Sequence, residues 1–80
     1  DERRIASVTG ALSGLKAAVA DGVEVLGYCY WSLLDNYEWG SYGPTFGLIA
    51  VDRAGDFDRT PKPSLAWLGT VAAGNGELID

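Results

Sequence analysis

The sequence contains no histidine and a single cysteine, Cys29, and these two shortages exclude much chemistry at once. Without histidine there is no Ser-His-Asp triad, no His-activated thiol and no ordinary zinc site. One cysteine cannot form an intrachain disulfide, so a small secreted scaffold held by bridges is excluded. Cys29 lies in the apolar run "VLGYCY" and is read as a small buried hydrophobe. Basic residues are scarce too: Lys and Arg number 6 against 11 Asp and Glu, a net charge of −5. Phosphate binding draws on many cationic contacts, so neither nucleic acid nor an anionic membrane surface is an expected partner. The longest charge-free run near the middle, Val25 to Leu34, is too short to span a bilayer. No apolar signal segment follows the charged opening "DERRIAS", and a soluble, cytoplasmic protein is expected.

What is present reads as helix, strand, loop, helix. Ile5, Val8, Leu12, Leu15 and Val19 recur at spacings of three and four, one face of a helix over residues 3–21. Asp1 and Glu2 suit the positive end of its dipole, and Gly22 suits the position that ends it. Gly10 and Gly14 each weaken a helix by about 1 kcal/mol, which points to close packing against a neighbour. Residues 23–31, "VEVLGYCYW", read as a strand; past Glu24 both faces are apolar, the pattern of a parallel strand covered on both sides. Gly27 within it suggests a close backbone approach or a bulge. Residues 32–46 form a long loop, "FGLIAV" a short extended segment and "DRAGDFDRT" a charged turn. A final helix is expected over 63–73, with Pro63 at its start and Leu65, Trp67, Leu68 and Val71 on its apolar side. The tail beyond is expected to fray. This alternation is that of an α/β fold with a parallel sheet, yet a lone parallel strand has no partner, so the chain reads as incomplete.

Chemistry concentrates in "WSLLDNYEWG", residues 31–40, at the end of the predicted strand. In α/β folds function gathers at the carboxyl ends of parallel strands. Flat aromatic faces beside a carboxylate acceptor are what a sugar requires. One face of a pyranose offers C–H groups to an indole ring. Its hydroxyls donate to an ionised carboxylate, each charge-assisted bond contributing about 1.5–3 kcal/mol. Plainer readings stand beside this one: a strand-end tryptophan often belongs to a core, Asp35-Asn36 is common turn chemistry, and Glu38 can be simply solvated. Asp35 and Glu38 can meet either carboxyl separation used by glycosidases, about 5–5.5 Å or about 6.5–9.5 Å. An acid and a nucleophile must flank the scissile bond, which favours donors from different strands, so this pair is not assigned catalysis.

The run "GYCYWSLLDNYEW", followed by "FGLIAVD" and then "RTPKPS", resembles the carboxyl-terminal end of the family 1 glycoside hydrolases, the β-glucosidase family. The opening "DERRI" and "ADGVEVLGY" match the helix before the family's last barrel strand, so the likeness spans nearly the whole chain. The resemblance implies the carboxyl-terminal helix-strand-loop-helix portion of a (β/α)8 TIM barrel, not a complete barrel, which takes about 250 residues. It implies a glycosidase that cleaves β-linked sugars with retention of configuration, with no cofactor and no metal. Carried over residue by residue, Trp31 resembles the Trp stacking under the sugar before the cleaved bond. Glu38 resembles the carboxylate accepting from that sugar's 4- and 6-hydroxyls, Trp39 the indole donating to its 3-hydroxyl, and Phe46 an aromatic wall of the same subsite. Asp35 and Asn36 shape the loop. The family's N-E-P acid motif and E-N-G nucleophile motif are absent from these residues, so the isolated chain is expected to be inactive, with the remainder of the barrel missing upstream. The loop before Phe46 is shorter than the family's common form and lacks its basic residues. Glu38 would repel a phosphate, so neutral sugars are favoured over phosphorylated ones. The alternative is a catalytically inactive, truncated sugar-binding or interaction module.

Overall fold

A computed structural model describes residues 1–80. Helix α1 spans Glu2–Ala20, one residue earlier at each end than the apolar spacing predicts. It closes with Gly22 N–H on the Val19 carbonyl and Val23 N–H on the Ala18 carbonyl, both 3.0 Å, satisfying carbonyls that the last turn leaves free. Helix α2 spans Pro63–Ala73 with proline in its first turn, where a missing N–H costs nothing. It closes in the same way, Asn75 N–H reaching Ala72 O and Gly76 N–H reaching Val71 O.

The two helices are tied at their starts. The Asp1 carboxylate makes no capping bond to its own helix; it accepts from the Ser64 N–H at 2.8 Å and the Ser64 hydroxyl at 2.9 Å. An acceptor is thus supplied to the amino end of α2, which has no acidic residue in its first turn. Between the helices lies a small core of Val8, Leu12, Val71 and Ile79, with Tyr30, Trp67 and Leu68 packed against it. Ile79 corrects the expectation of a frayed tail. Lys16 Nζ donates to the Gly76 and Ile79 carbonyls, and Ser13 Oγ donates to the Asp80 carbonyl, so the last residues dock on α1.

No strand forms over residues 23–31. Residues 24–31 make no backbone–backbone hydrogen bond, since a strand exists through its ladder and the chain offers this segment no neighbour. Leu26 is 93 % exposed and Cys29 is exposed, so neither the buried strand nor the buried cysteine is found. A Cβ on Gly10, Gly14 or Gly27 would meet nothing within 4 Å, so the close approaches expected there are also not found.

The regular strands lie elsewhere. β1 (Ile49–Asp52) and β2 (Asp58–Pro61) form an antiparallel hairpin, Ile49 opposite Pro61 and Asp52 opposite Asp58. The end of the expected charged turn is therefore strand β2. Only 8 of the 80 residues are buried, and the extents are 47 × 25 × 20 Å. The radius of gyration is 14.6 Å. A compact domain of this length would have about 12 Å. The chain forms no closed sheet.

Candidate functional site

The loop that follows residue 31 is closed at its base. Leu48 N–H donates to Ser32 O at 2.9 Å, Ile49 N–H to Leu33 O at 2.8 Å and Asp35 N–H to Ile49 O at 3.0 Å. Leu34 and Ile49 thereby form a parallel bridge. Gly47 makes this approach possible: a Cβ there would lie 2.2 Å from Asp35 N and 2.4 Å from the Leu34 carbonyl carbon. Backbone meets backbone where any side chain would stand.

Charged groups then pin the loop from outside. Asp35 Oδ1 accepts from Gly47 N–H and from Lys62 Nζ, both at 2.9 Å, in an ion pair whose side chains are only 12 % and 15 % exposed. Lys62 also donates to the Thr45 carbonyl at 3.1 Å, and Arg4 of α1 donates to the same oxygen. Arg4 Nε donates to the Tyr30 hydroxyl at 3.1 Å, which donates to the Phe46 carbonyl at 2.9 Å. Asn36 Nδ2 donates to Ser32 Oγ at 3.0 Å and to Leu34 O at 2.8 Å. Asp35 and Asn36 are committed to the scaffold: Asn36 bonds locally, but the partners of Asp35 lie 12 and 27 positions away, so the turn chemistry expected of it is replaced by long-range bonds.

At the outer end the backbone reverses over two residues. Glu38 and Ser41 exchange both backbone bonds, at 2.8 and 3.0 Å, and the two residues between them have positive φ: Trp39 at 52° and Gly40 at 78°. This is a mirror-image hairpin turn, in which glycine accommodates the second left-handed position. The turn lifts Trp39 away from the chain; the residue is 95 % exposed and its indole N–H has no partner in the chain.

The turn also aims Glu38 back toward the start of the loop. Trp31 Nε1–H donates to Glu38 Oε1 at 2.6 Å, while Trp31 as a whole is 67 % exposed. Glu38 Oε2 is shielded from solvent and has no hydrogen-bond partner. A carboxylate oxygen held out of water without a donor costs about 1–3 kcal/mol or more, so its position favours whatever donor can reach it. Trp31 and Glu38 are thus one unit, Trp39 is the next residue along, and Phe46 lies half-exposed on the returning limb. No hydrogen bond joins Trp39 or the Phe46 ring to the Trp31–Glu38 pair.

Arg4, Tyr30 and Lys62 hold this site and were not singled out by sequence reasoning. Arg4 sits in a charged opening that reads as solvated, and Tyr30 in an apolar run that reads as core. Lys62 stood in the quoted "RTPKPS" without a role, although its spacing from Asp35 gives no hint of the pair. A cavity of about 720 Å³ lies elsewhere: an apolar groove between α1, α2 and residues 25–30. It contains none of the loop's acids and is the open face of the core rather than a polar site.

Comparison with known proteins bears on the family of the chain. The model of glycosyl hydrolase family 1 matches residues 1–77. Raucaffricine-O-beta-D-glucosidase of Rauvolfia serpentina is 45 % identical over 69 residues, 85 % of this chain and 13 % of that protein. Putative beta-glucosidase 41 of Arabidopsis thaliana is 42 % identical, covering 100 % of this chain and 15 % of its own length. Among solved structures, an apo beta-glucosidase 1317 superposes with a TM-score of 0.86 at 51 % identity, covering 92 % of this chain and 18 % of that one. The beta-glycosidase BGL167 gives 0.87 at 47 %, covering 94 % and 18 %. The chain therefore spans less than a fifth of the length of the proteins it matches.

Proposed function

We propose that this chain, which belongs to glycosyl hydrolase family 1, supplies the glycone-binding wall of a retaining β-glycosidase acting on neutral sugars. The observation that carries this reading is the Trp31–Glu38 unit: an indole N–H orients one carboxylate oxygen at 2.6 Å and leaves the other without a donor. A sugar hydroxyl is such a donor, and the exposed Trp31 face offers the apolar surface that a pyranose C–H face requires. Trp39 contributes an unpaired N–H to the same turn, and Phe46 an aromatic edge. Glu38 and Trp31 hold the sugar; cleavage itself calls for two carboxylates flanking the scissile bond. Asp35 does not serve as the second, because Lys62 and Gly47 already occupy its Oδ1.

The test is a titration of the isotopically labelled chain with methyl β-glucoside, followed through the indole signals of Trp31 and Trp39 and the side chain of Glu38. Those signals move in the parent chain and stay still in Glu38→Gln, and glucose 6-phosphate moves them less than glucose does. Sugar responses confined to residues outside 31–46 would refute the assignment.

A further inference from the structure

Arg53 belongs to the connection between β1 and β2, outside the loop that carries the sugar-facing residues. It takes part in neither ion pair of the chain, which join Arg4 to Asp1 and Lys62 to Asp35. Its guanidinium instead stands over the ring of Tyr42, 4.0 Å from the centroid. Tyr42 meets Tyr37 edge to face, with centroids 4.9 Å apart and planes at 63°. These two tyrosines immediately flank the Glu38–Ser41 bridge. Next to a pair that exchanges both backbone bonds, opposed side chains come closest, so positions 37 and 42 are where two rings can lock a two-residue turn. The Tyr37 hydroxyl also lies against the turn, 3.7 Å from where a Cβ on Gly40 would be.

We propose that Arg53 is a positioning residue for the Glu38–Trp39 turn, its cation fixing Tyr42, and through Tyr42 the Tyr37 ring that braces the turn. The functional consequence, that Glu38 and Trp39 are held in place for a sugar, rests on the reading of the loop given above; the link from Arg53 to the turn stands on geometry alone. Trp39 depends on the turn most, because its exposed side chain makes no hydrogen bond of its own. Tyr42 and Arg53 line a cavity of about 120 Å³ between the loop and the β1–β2 connection, so their stack bridges a gap and is not part of a filled core. A neutral side chain of similar reach fills the same place without attraction to the negative face of the tyrosine ring.

Charge and bulk are separated by comparing Arg53→Gln with Arg53→Lys in the labelled chain. The readouts are hydrogen exchange at the Glu38 and Ser41 amides, which close the turn, and the indole N–H signal of Trp39. In Arg53→Gln both amides exchange about two- to fivefold faster, the range an exposed cation–π contact supports, and the indole signal shifts. In Arg53→Lys both return toward the parent values. An unchanged Gln variant, or equal changes in both variants, overturns the proposal. Adding methyl β-glucoside gives a second arm: its effect on the Trp39 indole weakens in the Gln variant and recovers in the Lys variant. If the amide effects appear and no chain responds to sugar, the failure falls on the carbohydrate reading, and the bracing of the turn by Arg53 stands.

Discussion

At the scale of single residues, the site divides into groups that face outward and groups that hold them. Glu38 has one oxygen set by Trp31 and one shielded and without a donor, and it is the acceptor in the proposed reading. In a chain carrying the whole barrel, Glu38→Gln is expected to lower kcat/KM for β-glucosides by about 2–4 kcal/mol of transition-state stabilisation. Steady-state kinetics on paired wild-type and variant enzymes checks this, and an unchanged rate refutes the role. Lys62 is a holder. Its removal in Lys62→Ala leaves Asp35 charged and shielded with a single remaining backbone donor, Gly47 N–H. The expected cost is about 2–3 kcal/mol, read as a lower midpoint in urea denaturation. Lys62→Arg, which keeps the charge, is expected to lose less. Sequence reasoning singled out the groups now proposed to meet a sugar and missed the holders. The former cluster within ten residues, whereas Lys62 is 27 positions from Asp35 and Arg4 is 41 from Thr45.

At the scale of elements, the loop is a closed unit whose ends meet backbone to backbone. Gly47→Ala sets a methyl group 2.2 Å from Asp35 N, which the surrounding backbone cannot absorb by a side-chain movement. Overpacking of this kind costs about 1–3 kcal/mol, and here it also parts the Leu34–Ile49 bridge. The expected outcome is faster hydrogen exchange at Ile49 and Asp35, whose N–H groups make the bridging bonds. Protection unchanged at both amides would show that the bridge does not depend on this glycine. The helices were legible from their apolar spacing and terminal residues, because a helix satisfies its own backbone and needs only one covered face. The strand predicted over 23–31 was not realised for the opposite reason: its backbone groups can be satisfied only by other strands. The hairpin of β1 and β2 was half legible, since β2 is exposed throughout and its charged residues read as a turn.

At the scale of the whole molecule, a small core and a large apolar exterior decide the behaviour. Leu26, Val19 and Tyr28 are exposed around the groove of about 720 Å³, a surface that water covers at a cost. Self-association that grows with concentration is expected in sedimentation velocity, and Leu26→Ser is expected to reduce it. A monomer at all concentrations would show that the groove is closed in solution. The isolated chain is also expected to release no product from an aryl β-glucoside. Its loop offers one free carboxylate, Glu38, and hydrolysis with retention requires a second about 5–5.5 Å away. Turnover by pure material would overturn that expectation.

The sequence by itself determined the two helices and the family to which the chain belongs, and it singled out the ten-residue stretch on which the proposed site rests. Each of these depends on local spacing or contiguous motif, which a linear reading can see. Only the tertiary structure decided that Trp31 and Glu38 bond to each other, that Asp35 belongs to Lys62, and that Asp1 caps the far helix. It also decided that residues 24–31 stand without a ladder. These outcomes turn on which backbone and side-chain groups find partners across the fold, and the order of residues along a chain does not record that distance.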